Sequence, residues 1–194
     1  MMQIVGLSLI VSTVLVALCG IRIVRPTHRG VIERLGKYNR MAGAGSHWLI
    51  PVVERMMFRN ITERLADVEP QDIITKDNMN ARVDLQVYYK VKDTEADIKK
   101  SYYGIEDFKT QIIAISQSTA RNVIGDMKFV DVNSQRNQLN TKLKDVIDKQ
   151  IEDWGVDVVR VELKEITPPE EVQATMNRVV MAQNEKDAAV DTAT

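Results

Sequence analysis

The stretch A-R-V-D-L-Q-V-Y-Y-K-V, residues 81–91, alternates apolar and polar side chains along its whole length. A period of two predicts a strand with one buried face and one solvated face, which is typical of an antiparallel sheet. The sequence therefore predicts a sheet with this strand in it. The side chains expected to face the core are Ala81, Val83, Leu85, Val87, Tyr89 and Val91.

Two amphipathic helices are predicted after this strand. Between residues 105 and 124, apolar side chains recur at spacings of three and four, and Gly125 stands where a helix would end. A second helix is predicted to begin near residues 133–134 and to end at Trp154-Gly155. We expect the apolar faces of both helices to pack on the sheet.

Further strands are expected on both sides of this central part. Before it, strands are predicted around residues 31–35, 52–61 and 63–68, with a turn at Gly36-Lys37 and a break at Pro70. The sequence thus predicts an α/β (α+β) domain over residues 25–166, with an antiparallel-rich sheet packed by helices. Its final strand covers residues 156–166, with these side chains turned inward: Val159, Val161 and Leu163.

The first 21 residues contain no charged side chain and no proline. At about 1.5 Å per residue, a helix over residues 2–21 is roughly 30 Å long, which matches the hydrocarbon core of a bilayer. A signal peptide would need a basic residue before the apolar run and a small-residue cleavage pattern, and the sequence has neither. We therefore predict an uncleaved transmembrane anchor over residues 1–24.

Basic side chains are concentrated just after the predicted anchor. Residues 22–64 contain nine Lys or Arg against three Asp or Glu, whereas residues 65–194 contain 17 against 24. The positive-inside rule then predicts a single-pass membrane protein with its soluble domain in the cytoplasm, and anionic headgroups attract basic residues near the surface. We expect Arg22, Arg25 and Arg29 at the membrane interface. A nucleic-acid partner is not predicted, because interleaved aromatics and a recognisable binding module are lacking.

Three apolar residues, Trp48, Leu49 and Ile50, follow a glycine-rich loop at residues 43–45 within the same basic stretch. Trp rings settle at the level of the lipid headgroups, which favours a membrane-interface position for these three residues. The alternative is that Trp48 fills the core of the domain. Both interpretations remain open from the sequence.

The segment Thr167-Pro168-Pro169-Glu170 is typical of a helix start, with a Thr cap, a proline in the first turn and a Glu three residues after the cap. A long helix is predicted to follow. Its narrow apolar stripe needs a partner helix, so we predict that residues 167–194 begin an oligomerisation helix. The stripe consists of Val172, Met176, Val179 and Val180.

The residue types that common enzymes use are scarce in this chain. His28 and His47 are the only imidazoles, Cys19 is the only thiol, and the usual nucleophile, nucleotide and zinc motifs are absent from the sequence. The acidic side chains fall mainly at predicted helix ends and solvated faces. We therefore predict no catalytic residue, no metal site and no cofactor.

Several short motifs occur in a fixed order along the chain. They are G-K-Y (36–38), H-W-L-I-P (47–51), I-T-K-D-N (74–78), V-Y-Y (87–89), R-N-V-I-G (121–125), W-G (154–155) and I-T-P-P-E-E-V (166–172). In this order they closely resemble stomatin-like proteins of the SPFH family, which also includes prohibitin and flotillin. The resemblance covers residues 23–183 and implies a membrane anchor, an SPFH domain lying along the bilayer and a C-terminal coiled coil.

The resemblance also implies a function. It predicts a homo-oligomeric ring or cage that organises membrane microdomains and modulates partner proteins, such as a channel or a membrane protease. The alternative is a regulatory subunit or substrate of a membrane-associated protease. The chain departs from the family where members usually show G-P-G, since it has Gly43-Ala44-Gly45. Members also continue for many heptads beyond the position of Thr194, so we expect this chain to be cut short there.

Overall fold

The structure, a computed structural model, describes residues 20–168 and residue 173. Within this range the chain forms strands, α-helices and one short 3-10 helix. In chain order the elements are β1 Ile21–Val24, β2 His28–Arg34, β3 Lys37–Ala42, β4 Gly45–Trp48, β5 Glu54–Asn60, β6 Arg64–Ile74, β7 Asn80–Val91, α1 Glu95–Tyr103, α2 Phe108–Gly125, α3 Phe129–Ser134, α4 Arg136–Ile151, the 3-10 helix Glu152–Trp154 and β8 Val156–Thr167.

Two predicted segments lie largely outside the described residues. The anchor falls mainly on residues 1–19, and the apolar stripe of the C-terminal helix, Val172, Met176, Val179 and Val180, falls after residue 168. Both stay predictions. Among the helices of residues 20–168, none is long and apolar enough to cross a membrane.

Strand β1 corrects the end of the predicted anchor. Residues 21–24 are extended and pair antiparallel with β4, with Ile21 opposite Trp48. The branched side chains Ile21, Ile23 and Val24 suit a strand as well as a membrane helix, and Arg22 between the two isoleucines already gives the period-two alternation of a strand.

The described chain divides into two compact units, each built from separate stretches of sequence. Unit 1 contains residues 20–64, 89–108 and 151–157, and unit 2 contains residues 65–88, 109–150 and 158–168. Unit 1 therefore joins the basic N-terminal stretch with acidic residues such as Asp93, Glu95 and Glu152. The charge contrast along the sequence is consequently weaker between the two units.

Unit 1 contains a three-stranded antiparallel sheet in which β2 lies between β3 and β5. The predicted turn after β2 is confirmed, one residue earlier than expected. Leu35 and Gly36 both have positive φ, 51° and 78°, as a type I′ hairpin turn requires. Val24, Ile32 and Ala42 are buried together beneath this sheet.

The second three-stranded sheet has the order β6-β7-β8, with β7 in the centre. Strand β7 confirms the central prediction, since each of its six predicted core residues is at most 4% exposed. The predicted break at Pro70 is wrong, because β6 continues through it to Ile74. An edge strand tolerates a proline whose missing N–H would face away from the neighbouring strand.

Helices α2 and α4 confirm the two predicted helices. The residues that α4 buries recur every four positions and are Leu139, Leu143, Ile147 and Ile151. Helix α1 was not predicted. It begins at a cap where the Thr94 hydroxyl accepts a hydrogen bond from the N–H of Asp97, and it buries Ile98 and Ser101.

Strand β8 differs from its prediction in phase. Val158 is buried while Val159 is only partly buried, so the prediction of an inward Val159 is wrong, whereas Val161 and Leu163 are buried as expected. Val158 and Val161 are buried three residues apart, whereas a regular strand buries every second residue. A β-bulge, which inserts one extra residue into a strand, produces this spacing.

Helix α4 lies along β8 and bonds to it through side chains. Asp148 accepts a hydrogen bond from the N–H of Val158 at 3.0 Å, and Asn140 accepts one from the N–H of Leu163 at 3.3 Å. In a regular strand, N–H groups five residues apart point to opposite sides. The phase shift in β8 turns both N–H groups toward α4.

Candidate membrane-facing surface

Exposed apolar side chains of unit 1 surround a groove between β1 and β5. One compartment has a volume of about 580 Å³, and its walls include Ile21, Ile23, Val52 and Phe58 together with Arg22 and Arg55. A second compartment of about 300 Å³ is lined by Ile23, Arg25, His28 and Phe58. Because Ile23 and Phe58 line both compartments, we treat them as one site and call it the β1–β5 groove.

The walls of the β1–β5 groove are apolar and open to water. Ile23 is 73% exposed and Phe58 is 46% exposed, although both lie on strands. Apolar side chains that are exposed together and bordered by polar or charged residues mark sites of interaction with a protein, a membrane or a ligand. The groove is therefore the candidate site for contact with an apolar and anionic partner.

The turn between β1 and β2 places two basic groups at the groove. It has Pro26 at its second position, and the N–H of His28 donates to the carbonyl of Arg25 at 2.9 Å. The Arg29 guanidinium stabilises this turn by donating to the carbonyls of Pro26 and His28, at 3.1 and 3.0 Å, and to the carboxylate of Asp93. We therefore reassign Arg29 from the membrane interface to the support of the turn, which leaves Arg25 and His28 to face the groove.

Glu54 supports the other side of the groove. Its side chain is 1% exposed and accepts hydrogen bonds from Arg34 at 2.8 and 3.1 Å, from Asn39 at 3.0 Å and from Arg40 at 3.3 Å. It also accepts from the N–H of Ile50 at 3.2 Å. The Arg34 guanidinium, and then the Ile50 N–H, hold the pKa of this carboxyl below its usual value. Its negative charge is thus matched by Arg34 and Arg40 and does not offset the cations of the groove.

Val52 stands out in the segment between β4 and β5. It has a φ of 67° and is fully exposed. A β-branched residue with positive φ is an outlier, and such strained positions cluster at binding and catalytic sites. The side chain gains no burial within unit 1 in return, so its position beside the groove points to an apolar contact outside the chain.

The predicted interface residues Trp48, Leu49 and Ile50 separate in the structure. Trp48 is 53% exposed, so the alternative that it fills the core is wrong. Leu49 is 5% exposed, so its side chain offers little surface to a bilayer, and its N–H donates to the carbonyl of Gly20 at 2.8 Å. Ile50 is half-buried. Contact of Trp48 with lipid stays a prediction.

The sequence prediction missed the four exposed apolar residues of the groove walls. It assigns Ile21 and Ile23 to the anchor, and Val52 and Phe58 to a strand. The signal for Ile23 was the alternation of Ile21, Arg22 and Ile23, whereas no local pattern predicts a positive φ at Val52. Within residues 20–168, no group of three or more His, Cys, Asp or Glu side chains is placed to hold a metal ion.

Comparison with known sequences gives a consistent match. A sequence model of the SPFH domain / Band 7 family matches residues 22–194. An uncharacterized protein of Methanothermobacter thermautotrophicus is 37% identical over 186 residues, which are 95% of this chain and 57% of that protein. One of Methanocaldococcus jannaschii is 35% identical over 168 residues, 87% of this chain and 82% of that protein. A stomatin homolog of Pyrococcus horikoshii is 33% identical over 184 residues, 94% of this chain and 68% of the homolog.

Proposed function

The chain belongs to the SPFH domain / Band 7 family, and from this we propose that it is a membrane-anchored, self-assembling scaffold that organises membrane microdomains and modulates partner membrane proteins. The observation that carries the proposal is the β1–β5 groove. Its apolar walls and its arginines are exposed, and it begins at Gly20, directly after a segment of sequence without a charged residue. A bilayer interface offers acyl chains to the walls and anionic headgroups to the arginines.

Two attachments follow from this arrangement. The part of the predicted anchor that precedes β1 would cross the bilayer, and the groove would hold unit 1 against the surface. A protein held at one height and in one orientation loses less translational and rotational freedom when copies associate. This supports a homo-oligomeric ring or cage, in which the predicted stripe at Val172, Met176, Val179 and Val180 pairs with the same stripe of a neighbouring copy.

The proposal is tested on the full chain, extracted from membranes in mild detergent. We expect light scattering and electron microscopy to show closed assemblies at micromolar concentration. Val179→Asp should shift them to smaller species, while Ala174→Asp, which adds the same charge on the opposite side of the predicted helix, should not. A monomer at that concentration would refute the assembly. Co-purification of a membrane protease in a fixed ratio would instead support a regulatory subunit or substrate of that protease.

A further inference from the structure

We propose that the β1–β5 groove binds one molecule of an anionic phospholipid, with the anionic headgroup attracted by the arginines that line the groove, Arg22, Arg25 and Arg55, and an acyl chain against Ile23 and Phe58. This inference rests on the proposed function, since it requires a protein at a membrane, and it adds a lipid class that membrane attachment alone does not demand.

The size of the groove and its mixture of apolar and basic walls suit such a ligand. Its two compartments, about 580 and 300 Å³, fall near the range of roughly 300–1,000 Å³ that small-molecule sites occupy. Each compartment combines apolar walls with arginine, and Ile23 and Phe58 line both, so the two compartments are adjacent. A phospholipid likewise combines a compact charged group with long apolar chains.

The charge of the groove favours an anion. Within the part of the chain that the structure describes, no carboxylate pairs with Arg22, Arg25 or Arg55. Glu54 is the carboxylate that lines the groove, and Arg34 and Arg40 already match its charge. Guanidinium groups bind phosphate with paired N–H donors, and a headgroup carrying a quaternary ammonium would bring a cation close to them. An anionic phospholipid therefore fits better than a zwitterionic one.

The apolar walls identify a lipid as the source of the phosphate. A soluble phosphate ion would leave Ile23 and Val52 in water, where both are now largely exposed. The groove also starts at Gly20, where the uncharged N-terminal segment ends, so the bilayer would lie beside its opening. The strained φ of Val52 holds this side chain outward beside the groove, ready to contact an acyl chain.

The test uses the full chain in a non-ionic detergent, mixed with equal amounts of phosphatidylglycerol and phosphatidylcholine that carry the same acyl chains. Native mass spectrometry then counts the lipids retained by each protomer. We expect one phosphatidylglycerol per protomer, with a preference of about tenfold or more. The reason is that the binding free energy from two basic residues near an anionic lipid exceeds the difference that corresponds to a tenfold ratio of affinities. Arg25→Gln with Arg55→Gln should reduce the preference to about twofold or less.

Two controls separate the groove from general charge. Arg82→Gln with Lys90→Gln removes the same charge from the exposed side of β7 and should leave the preference unchanged. Ile23→Ser with Phe58→Ser keeps every arginine, and it should release long-chain phosphatidylglycerol. Far-UV circular dichroism and thermal unfolding confirm that each variant is folded.

Three results would overturn the proposal. They are equal retention of the two lipids by the wild-type chain, an unchanged preference in the Arg25→Gln, Arg55→Gln variant, and displacement of the lipid by millimolar inorganic phosphate. The same spectra report the mass of the assembly. Assemblies without a lipid preference would therefore reject the lipid site but still support the proposed scaffold. Monomers that prefer phosphatidylglycerol would support the lipid site and reject the scaffold.

Discussion

At the scale of single residues, the conformation of Val52 opposes stability. The left-handed region costs a residue with a Cβ about 1–2 kcal/mol, whereas glycine enters it freely and loses roughly 0.5–1 kcal/mol through its more flexible unfolded chain. The balance favours glycine. A valine there is consistent with a side chain that serves contact with a ligand.

We predict that Val52→Gly stabilises the protein by about 0.5–1 kcal/mol and weakens lipid retention in the groove. Urea unfolding and native mass spectrometry measure the two effects. Val130→Gly is the matched control, because Val130 is also exposed but lies in helix α3, where glycine costs about 1 kcal/mol. A loss of stability in both variants would contradict the assignment of strain to Val52.

Gly155 shows what a short sequence motif can and cannot reveal. The W-G pair correctly predicted the end of the helical segment, and Gly155 follows the 3-10 helix with a φ of 69°. The sequence did not reveal that a Cβ at Gly155 would collide with the backbone carbonyl of Asp97, in helix α1. Such a contact joins residues far apart in the chain, and local patterns carry no information on it.

We predict that Gly155→Ala destabilises the protein by about 2 kcal/mol or more, through both its positive φ and the collision with Asp97. Gly43→Ala is the control, because within the described chain no atom beyond its two neighbouring residues lies within 4 Å of a Cβ at Gly43. Its effect should stay within about 0.5 kcal/mol. Similar urea midpoints for the two variants would contradict the prediction.

At the scale of elements, Asp77 explains the I-T-K-D-N motif. It lies in the loop between β6 and β7, where it accepts a hydrogen bond from the Thr75 hydroxyl. It also accepts from the N–H of Phe129, the first residue of α3, at 3.2 and 3.3 Å. The Thr75 hydroxyl is the main cause that lowers the pKa of Asp77. A loop and a helix that are distant in sequence are thus joined by one carboxylate.

We predict that Asp77→Asn lowers the urea midpoint at pH 7. A carboxyl whose pKa is depressed by folding stabilises the protein above its unfolded pKa of about 3.9, and this contribution is lost as the pH falls through the folded pKa. Wild type and variant should therefore converge at low pH. Asp72→Asn is the control, because Asp72 is exposed, and it should leave the urea midpoint nearly unchanged. A difference in urea midpoint between wild type and Asp77→Asn that persists at pH 2 would contradict the prediction.

The elements that the sequence predicted well are the long ones with a sustained period, namely β7, α2 and α4. Strands β3 and β4 were missed because they are short and lack alternation, and α1 was missed because its apolar side chains are few. In the groove, Arg22 and Arg25 were predicted from charge alone, whereas Arg55 was not predicted. The strained turn at Val52 and the inward Leu49 depend on hydrogen bonds to Glu54 and Gly20, which no local pattern encodes.

At the scale of the whole molecule, residues 25–166 were predicted as one domain, while the described chain divides into two interleaved units. Each unit consists of three separate stretches of the chain, so a change of composition or a linker does not mark its boundaries. For the same reason, the sequence does not reveal that acidic segments distant in the chain join the basic stretch in unit 1. Net charge along the sequence predicts a function at the membrane only where folding keeps the charges exposed, as it does for Arg22, Arg25 and Arg55.

The contacts of α4 with β8 also bear on crowding. Copies concentrated on one membrane would meet repeatedly, and an open strand edge would then act as a template for chain-by-chain growth into fibrils. Asn140 and Asp148 occupy N–H groups of β8 that such growth would use, and Pro70 interrupts the donors of β6. At these positions of β6 and β8, neighbouring copies are therefore denied part of the backbone pairing through which aggregates become permanent.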